Sequence, residues 1–324
     1  MNKLIIFFIC FIACFGISLI LYPIYIHLLK SLNVNQTVSE YSLDEYKNKE
    51  KTPIMGGLIF IVVPIVILCV SIPFATILDH PKLLFIIISF IIYSLIGVVD
   101  DILIILTKKN DGISPLVKLI YEFISIIILY IIYHKYISTT IYIPYFDLEI
   151  DLKALYFIFI SFVFVSEANA CNFTDGMDGL CAGVSIIGLA CFGVIAYFKS
   201  EYYVLLLIVC VIGSLIAYLF FNFHPARIFM GDSGSLGLGA LFAGIALALD
   251  SFVPLLFIGF VFLIEMICVC IQQISCRLFK HRVFSYTPIH YAFIIKGYKE
   301  TSVVFGFYVV ALLSGIIGVV IGII

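Results

Sequence analysis

Charge is scarce in this chain: of 324 residues only 12% are Asp, Glu, Lys or Arg, whereas 64% are hydrophobic and the mean hydropathy is +1.23. That balance lies far outside the range of soluble domains and marks a polytopic membrane protein. No CxxC pair and no metal-ligand spacing links the ten cysteines, which lie singly in apolar stretches. A thiolate metal centre is thereby excluded, and the cysteines read as small hydrophobes. Basic clusters are also missing, and the net charge is −2, so nucleic-acid binding is set aside. There is no internal repeat and no low-complexity segment. The longest polar interruption, residues 33–51, is a loop, so residues 1–324 read as a single membrane domain.

Apolar windows near the ~20 residues a bilayer requires recur at 4–26, 54–73, 83–106, 115–134, 154–170, 180–198, 202–221, 235–249, 252–275 and 301–324. The expected fold is all-α, with about ten transmembrane helices. The first window is longer than a signal-peptide core and no small-residue cleavage site follows it, so it is expected to stay as an anchor. Loops joining helices 1–2, 3–4, 5–6, 7–8 and 9–10 hold Lys30, Lys47, Lys49, Lys51, Lys108, Lys109, Lys118, Arg227, Arg277, Lys280, Arg282, Lys296 and Lys299, most of the 18 basic residues. The positive-inside rule puts these loops in the cytoplasm and both termini outside.

Every polar constellation then falls on that one face. Asp100 and Asp101 close the third apolar run, NACNFTDGMDGL (169–180) joins helices 5 and 6, FNFHPARIFMGDSGS (221–235) joins 7 and 8, and TPIHYAF (287–293) joins 9 and 10. A charge at a helix centre costs about 2.5–3.5 kcal/mol on insertion scales, so an unpaired acidic pair inside lipid is not expected. Asp100, Asp101, Asp175, Asp178 and Asp232, with Asn172 and Asn222, form an oxygen-rich set without thiolates, which suits Mg²⁺ or Mn²⁺ and a phosphorylated substrate. Each motif also has a structural reading. Asp178 could cap helix 6, and MGDSGSLGLG (230–239) could be a glycine-rich helix start or a backbone cradle for phosphate. His290 could be a structural histidine or a catalyst. Glu265 and Gln272, spaced i, i+7, share one face of helix 9 as groove-lining or interhelical hydrogen-bonding groups.

Taken together, NQTVSE (35–40), KTPIMGG (51–57), IGVVDD (96–101), NFTDGMDGL (172–180), FNFHPARIFMGDSGSLGLG (221–239), IEMICVCIQQIS (264–275) and TPIHYAFIIKGYKET (287–301) resemble the polyprenyl-phosphate N-acetylhexosamine-1-phosphate transferase superfamily, glycosyltransferase family 4. KTPIMGG and the TPIH segment point to its phospho-N-acetylmuramoyl-pentapeptide-transferase branch. The resemblance implies ten helices, a cytoplasmic active-site cleft in the bacterial inner membrane and commonly a homodimer. It implies Mg²⁺-dependent transfer of phospho-N-acetylmuramoyl-pentapeptide from its UDP derivative to undecaprenyl phosphate, giving lipid I and UMP for cell-wall biogenesis, cell shape and division. It also implies that Asp100 and Asp101 engage the polyprenyl phosphate, that Asp232, with Asn172 beside it, ligates the metal, and that His290 is catalytic. On the same basis Asn172, Asp175, Asp178, Asn222 and Phe229 fall in the nucleotide region, Lys49 on a substrate-binding lysine, and Gln272 and Thr287 beside the nucleotide and sugar path.

Two departures stand out. The family usually has three consecutive histidines where this chain has His290, Tyr291 and Ala292, and a threonine where Ile54 stands. They bear on the edge of the pocket that recognises the sugar-peptide or lipid. A sister transferase loading GlcNAc-1-phosphate or another hexosamine phosphate, a noncatalytic paralogue, and a transporter with midplane acids are the competing readings.

Overall fold

The computed structural model describes residues 3–32, 34, 52–107, 112–136, 138–143 and 146–324. In chain order the helices are α1 (Lys3–Ser31), α2 (Gly57–Ser71), α3 (Phe74–Leu78), α4 (Pro81–Thr107), α5 (Pro115–Tyr133), α6 (Tyr156–Thr174), α7 (Leu180–Phe198), α8 (Tyr202–Asn222), α9 (Gly231–Ala248), α10 (Phe252–Ile258), α11 (Phe260–Phe279), α12 (Ile289–Ile295) and α13 (Glu300–Ile323). Among the described residues nine helices are long and apolar enough to cross a membrane, and α2, at 15 residues, is a shorter apolar helix. The chain is an all-α polytopic membrane protein. The ten apolar windows reappear as helices with two adjustments. The second is cut short at Ser71, and the ninth is broken at Gly259 into α10 and α11.

Proline starts α4 and α5, where its fixed φ suits the first turn and its missing N–H is no loss. The one sheet among the described residues is a hairpin of β1 (Thr140–Ile143) and β2 (Leu148–Asp151), antiparallel with Thr140 opposite Asp151.

The architecture is built around α9. From Ser233 to Ala248 every residue of this helix is buried, and it packs chiefly against α4 and α6. Its small residues make that possible, because in lipid close van der Waals approach rather than water exclusion drives helices together. At Gly97 of α4 an added Cβ would strike the backbone of Asp232 and Ser233, so a glycine there lets α4 lie against the start of α9. The opposite end of α9 is held by two lysines. Lys199 Nζ donates to the Leu249 carbonyl (2.5 Å) and Ser251 Oγ (3.2 Å), and Lys82 Nζ donates to the Ala248 carbonyl at 3.1 Å. Cations at a helix C-terminus satisfy its last carbonyls and complement its dipole.

All ten cysteines are free thiols and seven are buried, as expected of small hydrophobes.

Candidate functional site

The polar motifs meet at the end of the bundle where α9 begins. Asp101, on α4, is 2% exposed, and its carboxylate accepts the backbone N–H groups of Asp232 (2.9 Å) and Ser233 (3.1 Å). These are donors that the first turn of a helix leaves without partners, so Asp101 caps α9 from a neighbouring helix. The glycine-rich start of α9 therefore gives two of its N–H groups to this carboxylate rather than leaving them for a phosphate.

Asp100 faces the other way. It accepts the Ile113 N–H at 2.6 Å and pairs with Lys118 Nζ at 3.2 Å. Lys118 also makes a very short contact with the Asp232 carboxylate. The remaining oxygen of Asp232 accepts from Asn172 Nδ2 at 2.7 Å, and Asn172 also donates to Ser235 Oγ at 3.0 Å. Four elements thus converge: late α4, early α5, late α6 and the start of α9. One turn deeper on α5, buried Glu122 accepts from Asn169 of α6 at 2.7 Å, tying those two helices below the cluster.

Asp175 ends α6 and opens the DGMDG turn. Burial, reinforced by the neighbouring Cys181, Asp232 and Asp101, pushes its carboxyl well above the usual carboxylate range. The structural reading of Asp178 as a cap of α7 is not realised, since the N-cap is Gly179. Instead the Asp178 carboxylate reaches across to the 221–229 segment, meeting His224 Nδ1 at 2.9 Å and the Ala226 N–H at 3.0 Å. Its own N–H donates to Glu300 Oε1 at 2.9 Å. Asp178, His224 and Glu300 bring their ligand atoms within 4.8 Å of one another, a spacing that could hold a cation. Asn222 joins the same two segments by accepting from the Gly179 N–H at 3.0 Å and donating to the Ile228 carbonyl at 2.9 Å. Phe229 pairs its backbone with Pro53 and Gly56, which docks residues 52–57 beside the site.

On the far rim, the Gln272 amide oxygen accepts the N–H groups of Val283 (3.1 Å) and Phe284 (3.0 Å), shaping the loop that leads to partly exposed Thr287. Along this face Gln272 bonds the loop that precedes α12, and Glu265 bonds the start of α12. His290, fully buried, contacts Glu265, and the Tyr291 hydroxyl donates to the Gly176 carbonyl at 2.8 Å. Burial pushes that phenol's pKa above its ordinary value, so it stays protonated.

The structure therefore brings Asp100, Asp101, Asp232 and Asn172 together, and links Asp178 with Asn222. His290 lies against the DGMDG turn, and Gln272 stands at the rim. Lys49 lies outside the described residues. Lys118 was legible only as a cytoplasmic charge, Glu122 carried no motif, and His224 and Glu300 lay within the 221–239 and 287–301 segments without being singled out. A lysine at the start of an apolar run, facing an acidic set across one loop, was the one signal available for Lys118.

Residues 83–250 match the pattern of glycosyl transferase family 4. Over 315 residues the chain is 39% identical to a Staphylococcus saprophyticus protein named phospho-N-acetylmuramoyl-pentapeptide-transferase, covering 95% of this chain and 96% of that one. Proteins of the same name from Staphylococcus carnosus and Bacillus subtilis are similar. The first is 35% identical over 317 residues (96% and 98% of the two chains), and the second 36% over 306 residues (94% of each).

Proposed function

The chain belongs to the phospho-N-acetylmuramoyl-pentapeptide-transferases of glycosyl transferase family 4, and from that membership we infer how its buried polar cluster serves the reaction. It is a transferase of the bacterial inner membrane that forms lipid I in peptidoglycan synthesis. The two substrates are a UDP-sugar-peptide and a lipid carrier. In our reading they are UDP-N-acetylmuramoyl-pentapeptide and undecaprenyl phosphate, and both reach the cluster from the cytoplasmic side. An oxygen of the lipid phosphate bonds to the β-phosphorus of the nucleotide. The bond from that phosphorus to the bridging oxygen breaks, and UMP leaves with the electron pair.

One observation carries the reading: two carboxylates on different helices, Asp100 and Asp232, converge on a single ammonium, Lys118, with Asn172 alongside. Such a set is built for concentrated negative charge that a cation must balance, which is the situation of a transferring phosphoryl group. The donor set also fits a divalent cation, since Asp232 and Asp100 already hold a positive group between them and hard oxygen ligands favour Mg²⁺. We assign Mg²⁺ to Asp232 with Asn172 beside it. The Asp178, His224 and Glu300 group includes an imidazole nitrogen and is softer. When bound, the metal supplies Lewis-acid stabilisation of phosphate oxygens.

The remaining roles belong to side chains. Lys118 neutralises charge on the phosphates and on departing UMP. A phosphate monoester needs little deprotonation at neutral pH, so the aspartate pair acts first by positioning. Asp101 sets the height and direction of Asp232 by holding its backbone, and Asp100 positions Lys118 beside the entering lipid phosphate. Asp175, Asp178, Asn222 and Phe229 border the nucleotide, while Gln272, Thr287 and His290 border the sugar-peptide, with Lys49 contributing from the first cytoplasmic loop. The chain is further read as a homodimer, for which the largely exposed apolar faces of α1, α5 and α13 offer surface; mass photometry in nanodiscs tests this.

The decisive assay is UMP release by the purified protein with Mg²⁺, undecaprenyl phosphate and either UDP-N-acetylmuramoyl-pentapeptide or UDP-N-acetylglucosamine. Turnover of the first and not the second is expected. The reverse preference would move the chain to the sister transferases.

A further inference from the structure

We propose that Glu265 is a positioning residue that fixes His290 with its proton on Nδ1, so that Nε2 presents a lone pair to a hydroxyl or amide N–H donor of the UDP-sugar at the Gly176 turn. The inference rests on the transferase reading above and adds to it a tautomer, a polarity and the residue that sets both.

Glu265 and His290 are both 0% exposed. Glu265 Oε2 accepts the Ile289 N–H at 2.7 Å, and Oε1 lies 3.0 Å from His290 Nδ1. A backbone N–H can only donate, so Glu265 receives at Ile289. A carboxylate receiving there also receives at Nδ1 and holds the imidazole proton on that atom. This is the arrangement by which a buried acid sets the tautomer and direction of a histidine in hydrolase triads.

The other ring nitrogen shows what the arrangement serves. Among the described residues His290 Nε2 is buried and has no hydrogen-bond partner. Buried polar atoms are nearly always paired, so an orphan in a native fold calls for an explanation. Nε2 is aimed at the DGMDG turn, where a Cβ on Gly176 would collide with it. The cover over Nε2 is thus a residue without a side chain, and the Tyr291 hydroxyl grips that residue's carbonyl from the side. Substrate entering between α12 and this turn meets a hydrogen-bond acceptor. An ionised phosphate oxygen brings no proton and is disfavoured there, whereas a hydroxyl or amide N–H is accepted.

A plainer account makes Glu265 only a staple joining α11 to α12 through the Ile289 N–H. Glu265→Gln separates the two. Gln keeps an oxygen for Ile289 but turns an NH₂ toward Nδ1, which moves the imidazole proton to Nε2 and converts the acceptor into a donor. Binding of UMP and of UDP-N-acetylmuramoyl-pentapeptide, with kcat and KM, is measured in four proteins: native, Glu265→Gln, His290→Ala and the double variant. We expect Glu265→Gln to lose at least tenfold in sugar-nucleotide affinity or kcat while its thermal midpoint stays near native, and to lose nothing further once His290 is Ala. Weakening that extends to UMP locates the donor on the nucleoside, and weakening confined to the whole substrate locates it on the sugar-peptide. Equal losses in both backgrounds, or no loss in either, overturn the proposal in favour of the staple.

Nitrogen-15 spectra of histidine-labelled native protein in nanodiscs provide a second arm that needs no activity and uses His290→Ala only to assign the signal. The signal absent from His290→Ala should show a protonated Nδ1 and a bare Nε2, and a protonated Nε2 overturns the inference. If the native protein released no UMP from any UDP-sugar, the transferase reading would fall, while the binding and tautomer arms would still decide this one.

Discussion

The carboxylate of Asp101 spans the first turn of α9, one oxygen on the N–H of Asp232 and the other on the N–H of Ser233. The residue assigned to the metal is therefore held by its own backbone from the helix that carries the acidic pair. Asp101→Asn should cost stability as well as rate. The amide offers an NH₂ where one of the two N–H donors needs an acceptor, leaving a buried donor unsatisfied at a cost of about 1–3 kcal/mol. Thermal unfolding together with UMP release checks this, and a variant of native stability would show that the cap contributes little.

Asp232→Asn should abolish UMP release and leave the fold intact, because it keeps the side chain's size and removes the charge that faces Lys118. Titration with Mn²⁺ followed by electron paramagnetic resonance should show the tight site lost. Mg²⁺-dependent turnover in this variant would sink the assignment.

Asp175 yields a prediction with a sign. Burial first, and then the neighbouring Cys181, Asp232, Asp101 and Asp178, raise its carboxyl in the folded chain. A carboxyl raised on folding supports stability fully below its unfolded value, about 3.9, and loses that support as pH climbs through the folded value. Asp175→Asn cannot ionise. It should therefore melt higher than the native, metal-free protein at neutral pH, with the gap narrowing toward pH 4, while its UMP release falls. A gap that widens on acidification would contradict the stated environment.

Tyr291 stands where the related enzymes usually carry a histidine, and its hydroxyl is engaged with Gly176. Tyr291→His should free the DGMDG turn and raise turnover of the muramoyl-pentapeptide substrate partially, by a few-fold, measured as UMP release against the native chain. Pairing it with Ala292→His is a poorer test. Ala292 is 8% exposed, and an imidazole there would overpack, at about 1–3 kcal/mol.

Much of this architecture was legible in the residues. Apolar runs of bilayer length give helices because lipid leaves the backbone no other partner than itself, so the windows at 83–106 and 202–221 reappear as α4 and α8 with small changes at their ends. The acidic pair and the GDSGS start were visible as motifs. Their mutual bond was not, since it joins residues 131 and 132 positions apart. Lys118 was missed as a site residue for a related reason, and Glu265, though read as a groove-lining or hydrogen-bonding group, could not be matched to His290. A single lysine in an apolar stretch has no pattern of its own, and its meaning lies in what the fold brings opposite to it. The break at Gly259 escaped notice because apolar periodicity runs straight through it.

The way α9 is held has one more consequence. Asp101 pins its inner end, Lys199 and Lys82 pin the outer one, and the 18 residues between them rise about 27 Å. A rod secured at both faces cannot slide along its axis when the bilayer thickens or thins. The depth at which phosphoryl transfer takes place is then a property of the polypeptide, and carriers of different chain length must bring their phosphate to that same altitude. Adaptation to membranes of different thickness falls to the helices around α9, by tilt and by local deformation of the lipid.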